Sequence, residues 1–245
     1  MKPCLLIPIY DHAETIAGVV ASLAHLDLPC LIVNDGSGPR TCEVLRRIEA
    51  EHAWVSVVAR ERNGGRGAAL RTGYRVAAER GFSHALQLDA DGQHDARDVP
   101  RLLEAAQKDP GALVLGRPIF DDSAPALRLF GRKFSQALVW LETLSFTIED
   151  PLCGFRCFPL EPTVRLLGAM PLGDRMDFDP EIAVRLYWQG LPIVSVPTRV
   201  RYLEGGLSHF APWSDSWRIA KAHGRLVAGM LPRAPRLLAR HRRHS

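Results

Sequence analysis

The chain has 245 residues, 47% hydrophobic and 24% charged, proportions that fit one large globular domain. Its net charge of +4 is uneven: eight cations and no acid follow Asp215, which leaves 23 cations against 27 acids in the first 215 residues. No run of eighteen apolar residues occurs, which argues against a membrane-spanning helix. Five cysteines without a CxxC pair, and no signal peptide before Cys4, lead us to expect a reduced, cytoplasmic protein.

The first elements read as buried strands, because "CLLIPIY" and "CLIVNDGSG" are short apolar runs stopped by turn-forming residues. Between them Ile16, Val19, Val20 and Leu23 recur at helical spacing, predicting a helix over 13–26. A helix over 41–52, a strand over 55–59, a helix over 67–80 and a strand over 85–88 follow. Next come a helix over 99–108 and a strand over 112–115. This alternation predicts an α/β domain with a mostly parallel sheet sandwiched by helices.

Beyond Gly116 the pattern changes. A long amphipathic helix is expected over 126–144, a compact turn segment in "EDPLCGFRCFP", a helix over 179–189, and one or two strands in "PIVSVPTRVRYLEGG". Residues 1–215 are expected to form the domain, and 216–245 a basic amphipathic helical tail suited to a membrane surface or another polyanion.

The acidic stretch "LQLDADGQHD" ends one of the strands, and carboxylates placed there need a positive partner. An EF-hand loop fails, since the sixth and twelfth positions from Asp89 are His94 and Pro100. A dinucleotide site fits poorly: "GGRGAAL" lacks the third glycine, and one ribose-binding acid leaves Asp91 and Gln93 unexplained. A divalent metal accounts for more. Asp89 and Asp91, two apart on an extended strand end, share one side of the chain. Their hard oxygens suit Mg²⁺ or Mn²⁺, which commonly keep phosphate oxygens as further ligands. In parallel sheets ligands bind at the carboxyl ends of strands, where Pro8, Tyr10, Asp35 and Asp89 all fall.

The segments "LLIPIYDH", "LIVNDGSG", "NGGRGAALRTGY", "LQLDADGQHD", "DPLCGFRCF" and "RYLEGGLSHF", in this order, resemble the family 2 glycosyltransferases of the GT-A fold. They look most like the branch of dolichol-phosphate and polyprenyl-phosphate mannosyltransferases. The resemblance implies an inverting, metal-dependent transfer of a sugar from a UDP- or GDP-linked donor to a lipid or lipid-phosphate acceptor. By it, Pro8, Tyr10 and Asp35 would line the nucleotide pocket, with Asp35 reading the base. Asn63, Arg66 and Gly67 would approach the ribose and phosphates, and Asp89 with Ala90 would contact the ribose or the metal's water shell. Asp91 would ligate the metal, helped by Gln93 and His209. Arg117 and Arg132 would face a phosphate, and Asp150 would be the base or would orient the acceptor. Asp179 and Glu181 could serve simply as favourable charges at a helix start, and Cys153 and Cys157 read as core residues.

The chain departs from the family pattern in carrying Gly206 and His209 where basic residues would grip a lipid phosphate, although Arg199 and Arg201 are kept. Members of the branch often end in transmembrane helices, whereas this sequence ends in a segment that can only lie on a membrane. The expected place is therefore the inner face of the cytoplasmic membrane, and no nucleic-acid partner is expected. Two other classes compete: a degenerate scaffold, and a nucleotidyltransferase. The latter should have a glycine-rich basic loop where "PIYDHAET" stands.

Overall fold

The structure, a computed structural model, describes residues 1–120, 126–200 and 212–241. Three strands come early: β1 (Pro3–Ile9), β2 (Cys30–Asn34) and β3 (Val55–Ala59). Helices α1 (Ile16–Leu23), α2 (Pro39–Glu51) and α3 (Arg66–Glu79) separate and follow them. Then come β4 (His84–Gln87), α4 (Val99–Lys108), β5 (Leu113–Phe120), α5 (Ala126–Thr143) and β6 (Arg156–Pro159). Helices α6 (Leu160–Ala169) and α7 (Phe178–Trp188), strand β7 (Ile193–Val200), and helices α8 (Pro212–Met230) and α9 (Ala234–His241) complete the described chain.

The strands form one sheet in the order β3-β2-β1-β4-β6-β5-β7. All pairs are parallel except those made by β6, which runs antiparallel to both β4 and β5. The chain leaves β1 toward β2 and β3, then returns to the other side of β1 with β4. The crevice beyond the carboxyl ends of β1 and β4 is thus the topological switch point, where open α/β sheets place ligands.

Side-chain alternation along the strands builds two cores. Leu6, Leu31, Val33, Leu113 and Leu115 face α3, α6, α7 and α8, and Leu5, Ile7, Ile32, Leu86 and Val114 face α1, α2 and α4. Each such fully buried aliphatic side chain contributes on the order of 2 kcal/mol. Cys153 and Cys157 sit in the second core, as expected, and burial pushes their thiols up to about 11 and about 12.

One expectation needs correction. The segment read as a compact turn holds β6, a sheet strand, and runs on into α6, a helix the sequence reading missed. A four-residue strand beginning with Arg156 and ending in Pro159 gives no period-2 signal. The C-terminal helices α8 and α9 pack on the first core. Ala222, Leu226 and Met230 of α8, and Leu237 of α9, are buried. Arg240 donates to the carbonyls of Tyr187, Gly190 and Leu191 at 2.9–3.1 Å, satisfying the end of α7.

Candidate active site

At the end of β1, Asp11 adopts a left-handed φ of 52°, and its Oδ1 accepts the Gly38 N–H at 2.7 Å at the start of α2. Next door, Asp35 is buried at the end of β2. Its carboxylate accepts the N–H groups of Gly64 (3.1 Å) and Gly65 (2.7 Å) and pairs with Arg60. The start of α3, a natural anion site, therefore already holds a side-chain carboxylate. Gly36 is required here. Its φ is +70°, and a Cβ would lie 2.6 Å from the backbone of Arg62 and Asn63.

Arg66, the first residue of α3, links three distant segments. Its Nε donates to Asp179 Oδ2 at 2.7 Å, and its Nη1 pairs with Asp89. Asp89 also meets His94 Nε2 at 3.3 Å. Burial alone would raise the Asp89 carboxyl, but Arg66 and His94 more than offset it and hold the group well below the usual carboxylate range. Asp91 behaves oppositely. Its Oδ1 accepts the Gln93 N–H at 3.0 Å, and burial together with the Asp89 charge pushes its carboxyl up. Thr15 fixes the segment between the two acids by donating to the Ala90 carbonyl at 2.6 Å.

Behind these acids, Gln87 donates to the Gly154 carbonyl at 2.9 Å and accepts from Tyr74. A Cβ at Gly154 would run into the Asp89 carboxylate and the Arg66 guanidinium, so only glycine lets this turn pass. Arg156 has no exposed surface; it donates to the carbonyls of Cys153 (2.6 Å), Pro151 (2.5 Å) and Asp179 (2.8 Å). One buried guanidinium thus ties the Pro151–Phe155 turn to the start of α7.

That turn presents Asp150. Arg132 grips it with two bonds, Nε to Oδ2 at 2.9 Å and Nη2 to Oδ1 at 2.8 Å, and the Leu152 N–H adds a third at 2.8 Å. Arg117 is exposed and pairs with Glu149 at 3.1 Å. Both arginines thus meet carboxylates on one segment, the residues just ahead of the turn.

The structure brings Asp35, Arg66, Asp89 and Asp91 to the strand ends, with Asn63 and Tyr10 alongside. Pro8 lies within β1, paired to Val33. Gly67 serves packing: a Cβ there would lie 2.6 Å from the Gly173 carbonyl oxygen and clash with Phe178. His209 and Arg201 lie outside the described residues. Asp179 was read only as a helix-dipole residue; its partner Arg66 lies 113 positions away, and no local pattern reveals the pair.

A divalent cation fits this donor set. Asp91 offers hard oxygens and is held uncomfortably beside a second carboxylate, a tension that a cation would relieve. Buried polar atoms that make no hydrogen bond lie on these residues: Arg66 Nη2, His94 Nδ1 and Asp179 Oδ1, with Asn63 Oδ1 on the loop ahead of α3. Buried polar groups are normally satisfied, so these mark where a polar ligand would bond. Among the described residues no three His, Cys, Asp or Glu side chains converge, so a cation here would complete its shell with ligand or water oxygens.

Comparison with known proteins decides the class. The sequence profile described as "Glycosyl transferase family 2" matches residues 4–161. The chain belongs to this family. It is a glycosyltransferase with the GT-A fold. It is 33% identical over 207 residues to an undecaprenyl-phosphate mannosyltransferase from Micrococcus luteus, covering 80% of this chain and 82% of that one. Among solved structures it resembles glucosyl-3-phosphoglycerate synthase from Mycobacterium tuberculosis in complex with Mn²⁺ and UDP-glucose. There the TM-score is 0.66 at 20% identity, covering 95% of this chain and 78% of that one. It also resembles the mannosyltransferase PcManGT from Pyrobaculum calidifontis in complex with GDP-mannose and Mn²⁺. That match has a TM-score of 0.60 at 17% identity and covers 98% of this chain and 79% of that one.

Proposed function

We propose that this family 2 enzyme transfers a sugar from a nucleoside diphosphate sugar to a polyprenyl phosphate, with inversion at the sugar carbon, at a membrane surface. The observation that carries this reading is the state of Asp150: both of its oxygens are already engaged by Arg132, and one also by Leu152 N–H. A hydroxyl acceptor would need a free base to take its proton. A phosphate acceptor arrives as an anion and needs none, and the relative from Micrococcus luteus is named for such an acceptor.

In this reading the acceptor phosphate oxygen forms a bond to the sugar's anomeric carbon as the bond to the donor diphosphate breaks. The nucleoside diphosphate leaves with the electron pair. Asp91, with Gln93 and Asp89 nearby, would hold the divalent cation, which when bound neutralises charge on the departing diphosphate. Tyr10, Asp35 and Asn63 would position the nucleoside. Arg117, exposed on β5, would attract the acceptor phosphate, and Asp150 would orient Arg132. The exposed cations of α8, Arg218 and Lys221, would favour an anionic membrane.

The test is transfer of labelled sugar into the organic phase. GDP-mannose, UDP-glucose and UDP-N-acetylglucosamine are each offered with undecaprenyl phosphate, with Mn²⁺, with Mg²⁺ or with EDTA. The proposal expects metal-dependent, alkali-resistant incorporation from one donor. Transfer only to a hydroxyl acceptor would overturn it.

A further inference from the structure

Helices α5 and α8 turn an unusual surface to solvent. On α5, Phe130 is 71% exposed, Phe134 62% and Leu141 47%, and with exposed Ala137 they follow i, i+4, i+7, i+11 spacing. On α8, Trp213 is 92% exposed and Trp217 63%, and exposed Ala220 and Gly224 continue the same spacing. The two helices are fastened to each other. His223 of α8 bonds Ser135 at 2.9 Å through Nε2 and Glu142 at 2.7 Å through Nδ1, both on α5. Large aromatic rings rarely stand this free on a monomeric surface without a partner.

The charge on this face selects the partner. Lys133, Arg218 and Lys221 are exposed around the stripes, and the ammonium of Lys221 lies 5.1 Å from the centre of the Trp217 ring. The acids of these two helices, Glu142 and Asp215, are both buried. Exposed aromatic rings beside exposed cations, with no exposed acid on either helix, match the headgroup region of an anionic bilayer. Among the described residues no helix is long and apolar enough to cross a membrane, so the contact would be interfacial. Farther along, the tail's cations are partly spent within the fold. Arg240 closes the end of α7, and Arg233 bonds the Gly229 carbonyl at 2.7 Å and lies over Trp188.

We infer that the outer face of α5 and α8 is the membrane-docking surface, inserting Phe130, Phe134, Trp213 and Trp217 among the headgroups of an anionic bilayer. The same turns of α5 that project Phe130 and Phe134 send Arg132 inward to Asp150. Docking by this face therefore sets the Arg132–Asp150 pair just above the headgroups. What docking delivers to that pair rests on the polyprenyl-phosphate reading; the docking itself does not.

The experiment uses the full chain and vesicles of phosphatidylcholine, alone or mixed with phosphatidylglycerol. The wild type should float with the mixed vesicles, and its tryptophan emission should shift to the blue. F130S/F134S and W213S/W217S should each lower vesicle partitioning by about tenfold or more, while R236A changes it little. Because all four rings are exposed, melting temperatures should hold. Sugar transfer to a short, water-soluble prenyl phosphate should also hold, whereas transfer to a long-chain acceptor in vesicles should fall. Unchanged partitioning in both double variants would overturn the inference. So would a wild-type dimer that the same substitutions convert to monomers without affecting vesicle binding, since a second copy would then cover this face. Vesicle binding that follows the pattern, with no transfer to any prenyl phosphate, would sink the acceptor assignment and leave the docking face standing.

Discussion

The two sides of the crevice are built on opposite plans. On the β2–β1–β4 side the charges look inward. Asp35 is met by Arg60 and two amides, Asp89 by Arg66 and His94, and Asp179 by Arg66 again. On the α5–α8 side the Arg117–Glu149 pair is exposed, and aromatic rings and lysines stand at the surface. A preorganised, desolvated network suits a small charged donor whose diphosphate must be held in one geometry. An open basic and aromatic face suits an acceptor that remains in another phase.

Removing Arg66 should have the largest effect, because it leaves buried Asp179 and half-buried Asp89 without their shared cation. R66A should cost on the order of 3–5 kcal/mol in urea unfolding. R66K keeps the charge but cannot reach both acids in a fixed fork, and should fall between. A wild-type unfolding curve for R66A would erase the distinction between the two sides.

Next comes G154A, which forces a methyl group against Asp89 and Arg66. Overpacking of this kind costs about 1–3 kcal/mol, and nucleotide affinity should fall with it while the KM for acceptor hardly moves. D150N sharpens the contrast from the other side. It should raise the acceptor KM and leave the dissociation constant of the nucleotide unchanged, as steady-state kinetics and calorimetry together would reveal.

The smallest effect concerns Glu142. Burial raises its carboxyl above the ordinary 4.5, and the bond to His223 opposes this without cancelling it. With the folded value above the unfolded one, the stability tied to this group is present below pH 4.5 and is lost as pH rises through the raised value. Melting of the wild type relative to E142Q should therefore drop as pH rises above 4.5. A difference that stays flat as pH rises would mean that the Glu142 carboxyl is not raised.

Much of this was legible in the sequence. Strand β3 and helix α4 lie at the expected bounds, because the first is bracketed by turn residues and the second carries a clear apolar stripe after Pro100. The acidic strand end was readable because carboxylates following a buried run demand a cation. Strand β6 was not readable, since its Arg156 looks like a surface residue until three carbonyls surround it. Nor could the Arg66–Asp179 pair be read, for it closes only in three dimensions. The docking face was half legible: the basic segment after Asp215 pointed to a membrane surface, but nothing in the apolar pattern of α5 marks Phe130 and Phe134 as the residues left exposed.

The most direct measurement is calorimetric titration of the wild type and D91N with GDP and with UDP, each in Mn²⁺ and in excess EDTA. The account predicts that one nucleotide binds the wild type only with metal, and that folded D91N binds neither. Equal, metal-independent binding by both proteins would contradict it.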